Sequence, residues 1–208
     1  MLSEYTNPLL SSNCPDPAVT RLMDGSGYAL VASSDRASRS DNSSVFPMFF
    51  SKGCQSLIRL PLTSPLLFPD LVTWKLVRHV FSPTQLPVWA VDRFYAPELH
   101  LVEGRYLLYF TAGDNQGKLR CGVALATSED PFGDYSVLWD HYHCSARGNV
   151  ELLQDTGEPL VTAEDSVAGC LDPHLFADPV SQKSYLLWKQ DAPLRKETLF
   201  DVTGAERT

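Results

Sequence analysis

The stretch "DPHLFADPVSQKSYLLWKQD" (Asp172 to Asp191) decides the fold. It opens on an Asp-Pro pair, runs through a short apolar stretch, makes a polar turn, and closes on a Tyr-led apolar run. Short runs rich in aromatic and branched residues, bounded by turn residues, read as strands. The whole segment therefore reads as a β-hairpin. The same form occurs twice upstream, in "DPAVTRLMDGSGYALVASSD" (Asp16 to Asp35) and "APELHLVEGRYLLYFTAGD" (Ala96 to Asp114). Each repeat opens on Asp-Pro or Ala-Pro, turns at "DGSG", "VEG" or "DPVSQK", and continues from a Tyr.

Between the hairpins lie further strand candidates: "VFPMFFS" (Val45 to Ser51), "WKLVRHVF" (Trp74 to Phe81), "LRCGVALATS" (Leu119 to Ser128) and the weaker "DYSVLW" (Asp134 to Trp139). Sustained helical periodicity is hardly seen. Repeated hairpins with intervening strands predict an all-β chain of antiparallel four-stranded blades arranged radially, a β-propeller. Three repeats make it an incomplete one. The first strand of each blade lines the central channel of such a fold. Asp16 and Asp172 lead two of these strands and so are expected to face one cavity. Asp-Pro pairs are also ordinary turn residues; it is their shared register within a repeat that favours function. Asp178-Pro179, inside the third hairpin turn, is read as turn chemistry alone.

The bulk numbers narrow the partners. The chain has 208 residues, 44% hydrophobic and 20% charged, which suits a globular fold. Its net charge of −8, with no basic cluster, argues against nucleic acid or an anionic membrane surface as partner. Five scattered cysteines (Cys14, Cys54, Cys121, Cys144, Cys170) show no zinc spacing and are expected as free thiols. "MLSEYTNPLL" lacks the features of a signal peptide, so the chain as written is expected to be cytoplasmic.

Four stretches, "NPLLSSNCPDPAVTRL", "DLVTWKLVRHVF", "FYAPELHLVEGRYLLYFTA" and "LDPHLFADPVSQKSYLLWK", together resemble glycoside hydrolase family 43, from about Asn7 to Lys189. The resemblance implies a five-bladed propeller acting on arabinan, xylan and related pentose-containing glycans by inversion. In that chemistry one carboxylate activates a water and a protonated carboxyl serves the leaving oxygen, about 6.5–9.5 Å apart. It implies Asp16 as general base. It implies Asp172 as the third carboxylate, which raises the acid's pKa and helps orient the sugar. Pentose rings have apolar faces, and Phe46 and Tyr95 are the candidates for a subsite wall, with ordinary blade packing as the equal alternative for each. Glu98 is not taken as the acid, which the family carries on a later segment; it is expected to be a supporting or packing residue. No cofactor is expected. Some family members hold calcium in the channel, on residues expected mostly beyond the end of this chain.

Two departures stand against the family pattern. Residues 53–69, "GCQSLIRLPLTSPLLFP", form an apolar insert where a tight turn belongs. Deleting the insert restores the pattern at both borders, as translated intron would; a spliced message still encoding it overturns that reading. Residues 192–208 are polar and carry no strand signal, and Glu197 and Glu206 lie there in no recognisable motif. Residues 7–191 are thus expected to form about three of five blades without the general acid. The rival reading is a non-catalytic carbohydrate-binding propeller.

Overall fold

In the computed structural model the Tyr-led runs become the second strands of three antiparallel hairpins. The structure describes residues 9–10, 12–53, 71–102, 104–138, 142–144, 150–152, 159–161, 168–181 and 183–190. The insert beyond residue 53 and the tail from 191 onward lie outside the described residues. The elements are β1 (Ala18–Arg21), β2 (Gly27–Val31), β3 (Ser34–Ser38), β4 (Val45–Lys52), β5 (Lys75–Phe81), β6 (Asp92–Val102) and β7 (Arg105–Gly113). They continue with β8 (Leu119–Ala126), β9 (Tyr135–Leu138), β10 (Tyr142–Cys144), β11 (Val150–Leu152), β12 (Cys170–Ala177) and β13 (Ser184–Gln190).

The first blade is a four-stranded sheet in the order β1-β2-β4-β5. β4 and β5 flank the insert and still pair antiparallel, Phe50 opposite Lys75. The second blade is β6-β7-β8-β9, extended at its inner edge by β3. β12 and β13 form a two-stranded third sheet, and β10 and β11 another pair. β6 packs against both β1 and β12, so the leading strands of three blades converge. This is the incomplete antiparallel propeller expected from the repeats. β3 was not anticipated: "SDRAS" has no strand pattern, and it pairs with β6 only at Ser34 and Ser38.

The continuous apolar run of β7 has a physical reason. Tyr106, Leu108, Phe110 and Ala112 join the main core against the first blade. Leu107 and Tyr109, with Val123, pack against Leu175 and Leu186 of the third. A strand buried on both faces cannot alternate with polar residues. β2 does the same: Ala29 and Val31 enter the main core, while Leu30 packs with Phe49, Trp74 and Cys14. Cys14, Cys121 and Cys170 carry free thiols, the last two buried.

The β7–β8 turn is organised by Asp114. Its Oδ1 accepts from the Gln116 and Lys118 amides at 2.9 and 2.8 Å, and its Oδ2 accepts from Arg120 Nε at 2.8 Å. Gly117 supplies the left-handed turn residue at φ 79°. Burial alone would raise the Asp114 pKa, but the Arg120 guanidinium and the two amides outweigh it and hold the carboxyl below its usual range. Asp114→Asn is expected to cost about 1.5–3 kcal/mol, the worth of charge-assisted hydrogen bonds. Because the folded pKa is depressed, this stabilisation is complete above the unfolded value near about 4 and is lost as pH falls through the folded one. Chemical denaturation of both proteins at neutral and acid pH checks this: the gap should close on acidification.

Candidate active site

Asp-Pro geometry is the first feature of the site. Asp16, Ala96 and Asp172 each precede a proline, and all three have positive φ: 48°, 42° and 57°. Non-glycine residues seldom adopt this conformation, and alanine has no polar group to favour it. Each instance costs of order 1–3 kcal/mol. The strand register shifts around two of them, between Tyr95 and Glu98 on β6 and between Leu171 and His174 on β12. Bulges of this kind re-aim side chains beside functional sites. The repeats therefore share a strained device as well as a motif.

The surrounding structure holds the device in place through the second blade. Ser33 Oγ donates to Asp16 Oδ2 at 2.7 Å and accepts from the Ala96 amide at 2.7 Å. The Asp172 amide donates to Thr111 Oγ1 of β7 at 2.9 Å. Thr20 of β1 donates its hydroxyl to the Leu99 carbonyl of β6. Asp16 is exposed, and Asp172 is open to solvent over only part of its surface. Partial burial raises the Asp172 pKa; Lys189 opposes this, while Asp16 and Glu98 push it up further. Asp172 thus feels both other carboxylates.

Ser33→Ala leaves the Ala96 amide without its acceptor and frees Asp16 to rotate. The expected cost is about 1–3 kcal/mol of stability. A thermal melt of both proteins checks this.

Glu98 sits beside these groups and is hydrogen-bonded to two histidines. Burial raises its pKa, yet hydrogen bonds and charge from His100 and His174 win and hold it below the usual carboxylate range. His174 Nδ1 lies 2.5 Å and His100 Nε2 3.1 Å from Glu98 Oε2. Both histidines were missed in the sequence. The available signal was period two: His100 follows Glu98 by two residues on β6, and His174 follows Asp172 by two in "LDPHLF". With Pro17 to Arg21 and Glu98 to Leu101, His174 lines a cavity of about 460 Å³.

The two aromatic candidates separate. Phe46 is fully buried. Its ring meets Phe81, Phe94 and Phe110 at centroid distances of 6.2, 6.0 and 5.5 Å. Phe46 therefore packs the core between the first two blades and offers no face to a ligand, which sets aside the subsite wall and leaves the blade-packing alternative. Tyr95 is half-buried on the β6 bulge, next to Ala96. In the third hairpin turn, Asp178 accepts from the amides of Val180 and Ser181 at 2.9 and 3.2 Å, a turn residue as expected.

Among curated proteins none matches the chain. Several solved structures are similar to it. A thermostable family-43 glycoside hydrolase is 23% identical, with TM-score 0.56, over 90% of this chain and 45% of that one. The endo-arabinase from Bacteroides thetaiotaomicron VPI-5482 is 21% identical, TM-score 0.53, over 90% and 49%. The alpha-L-arabinofuranosidase from Lactobacillus brevis is 20% identical, TM-score 0.52, over 91% and 47%. The chain thus spans about half the length of the structures it matches, and the likeness shows the shared fold. The family model of glycosyl hydrolases family 43 matches residues 5–201. With nearly the whole chain inside that match, the protein belongs to glycosyl hydrolases family 43.

Proposed function

We propose that the chain carries the base side of an inverting glycosidase active on pentose-containing glycans of the arabinan or xylan type. Asp16 is the general base, held by Ser33 to aim at a water. Asp172 is the carboxylate that raises the pKa of the acid and orients the sugar, and Tyr95 forms part of the subsite wall. One observation carries this reading. Two aspartates in the same strained backbone conformation stand at the starts of the first strands of two blades, Asp16 two residues before β1 and Asp172 third in β12, and the Asp16 charge helps to raise the Asp172 pKa. Strain of this kind persists only where the surrounding structure holds it, and it clusters at active sites. The similar structures named as an arabinase and an arabinofuranosidase support the pentose class.

Proton donation to the leaving oxygen is a separate task, typically worth about 10²–10⁴-fold. Among the described residues Glu98 is the third carboxylate near the pair, and its bonds to His100 and His174 hold its pKa below the usual carboxylate range. That observation favours a second reading, a carbohydrate-binding propeller in which the aspartates hold sugar hydroxyls without turnover. Release of chromophore from aryl pentosides, measured beside thermal protection by arabino- and xylo-oligosaccharides, separates the two. Turnover abolished by Asp16→Asn supports the enzyme. Protection without turnover supports the binder, and neither effect overturns both.

A further inference from the structure

The hydrolytic reading leaves Glu98, His100 and His174 without a task. They do not belong to one loop. Glu98 and His100 lie on β6, opposite Tyr109 and Leu107 of β7. His174 lies on β12, opposite Leu187 of β13. Two blades therefore bring the three side chains together by strand register, which is a rigid way to build a site. One donor atom from each residue lies within 4.8 Å of the other two. The imidazole rings meet edge-on at 5.1 Å and 73°, and Tyr109 braces the His100 ring at 5.7 Å and 81°. All three residues are half-buried and line the 460 Å³ cavity.

We propose that Glu98, His100 and His174 bind a divalent transition-metal ion, with Zn²⁺, Co²⁺ and Ni²⁺ as the fitting class. Two imidazole nitrogens and one carboxylate oxygen are the donors such ions prefer. Calcium and magnesium demand an all-oxygen shell, which this set does not offer. Metal–ligand bonds of about 2.0–2.2 Å place donors roughly 3.2–3.5 Å apart. The carboxylate now hydrogen-bonds both rings at 2.5 and 3.1 Å, so side-chain movements of roughly 1 Å convert the triad into a coordination set. Any proton on a ligating ring nitrogen moves to the other nitrogen of that ring or to solvent. Three protein donors leave positions open, and the cavity has room for the waters that fill them. The site stands whether or not the chain hydrolyses glycans.

The test is Co²⁺ titration of the full 208-residue chain at neutral pH. One ion per chain should bind, with visible d–d absorption, and be displaced by Zn²⁺ but not by Ca²⁺. His100→Gln, His174→Gln and Glu98→Gln should each weaken binding by more than about tenfold. The double change His141→Gln with His143→Gln, a closely spaced histidine pair elsewhere in the sequence, should not. A readout on the unmodified chain covers a variant that fails to fold: bound Zn²⁺ should protect His100 and His174 from carbethoxylation by diethyl pyrocarbonate. Absence of binding, binding that survives the triad changes, displacement by Ca²⁺, or no protection of either histidine would each overturn the proposal.

Discussion

Under the proposed function, replacing Asp16 by Asn is expected to lower the rate of aryl pentoside cleavage by about 10²–10⁴-fold, the usual worth of a general base. The substitution is nearly isosteric, and the Asn side-chain oxygen still accepts the Ser33 hydroxyl that holds Asp16 at 2.7 Å. It removes the ability to take a proton from water and little else. The choice of substrate matters. A nitro-substituted phenolate leaves without help from an acid, so its release reports on the base alone. A simple alkyl pentoside also needs proton donation. The expected pattern is measurable release from the activated substrate, lost on Asp16→Asn with KM little changed. Equal rates in both proteins would return Asp16 to the ordinary chemistry of an Asp-Pro turn.

Phe46→Ala costs about 3–5 kcal/mol of stability, the range for emptying an aromatic site in a packed core. Phe46 is fully buried, and its three ring partners come from β5, β6 and β7. Trp89 stacks on Phe110 at 6.0 Å and 3°, which extends the cluster. Its residues join the first blade to the second, so the cavity left behind lies at the seam between them. Phe46 has φ 58°, a conformation that a bulky side chain adopts only where packing compensates. Chemical denaturation checks the magnitude. A small loss of stability with a selective rise in KM would instead place Phe46 at a subsite wall.

The two substitutions probe different layers. Asp16 is exposed, costs backbone strain, and is held by one buried hydroxyl. Phe46 is buried and fixed by three rings. A residue of the first kind can be changed with little effect on folding, and one of the second kind cannot. Activity and stability are therefore expected to part company between these variants, and that separation distinguishes a site from its scaffold.

The sequence by itself determined the strand repeats. Tyr-led apolar runs bounded by turn residues have local causes: strand geometry, turn chemistry and burial on both faces. It also placed Asp16 and Asp172 in register, since each opens a copy of the same repeat. Period two in "PELH" and "DPHL" already put His100 and His174 within reach of notice, but which neighbours they meet was not legible. Only the tertiary structure decided that Glu98 bonds His174 as well as its strand neighbour His100, because β6 and β12 meet by packing across 76 residues of chain. It alone sent Phe46 inward, since an aromatic residue serves a core and a sugar face by the same apolar chemistry. Ser33 and Thr111, which hold the two aspartates, carry no motif. Their roles come from hydrogen bonds between blades, and such bonds exist only once the blades are packed.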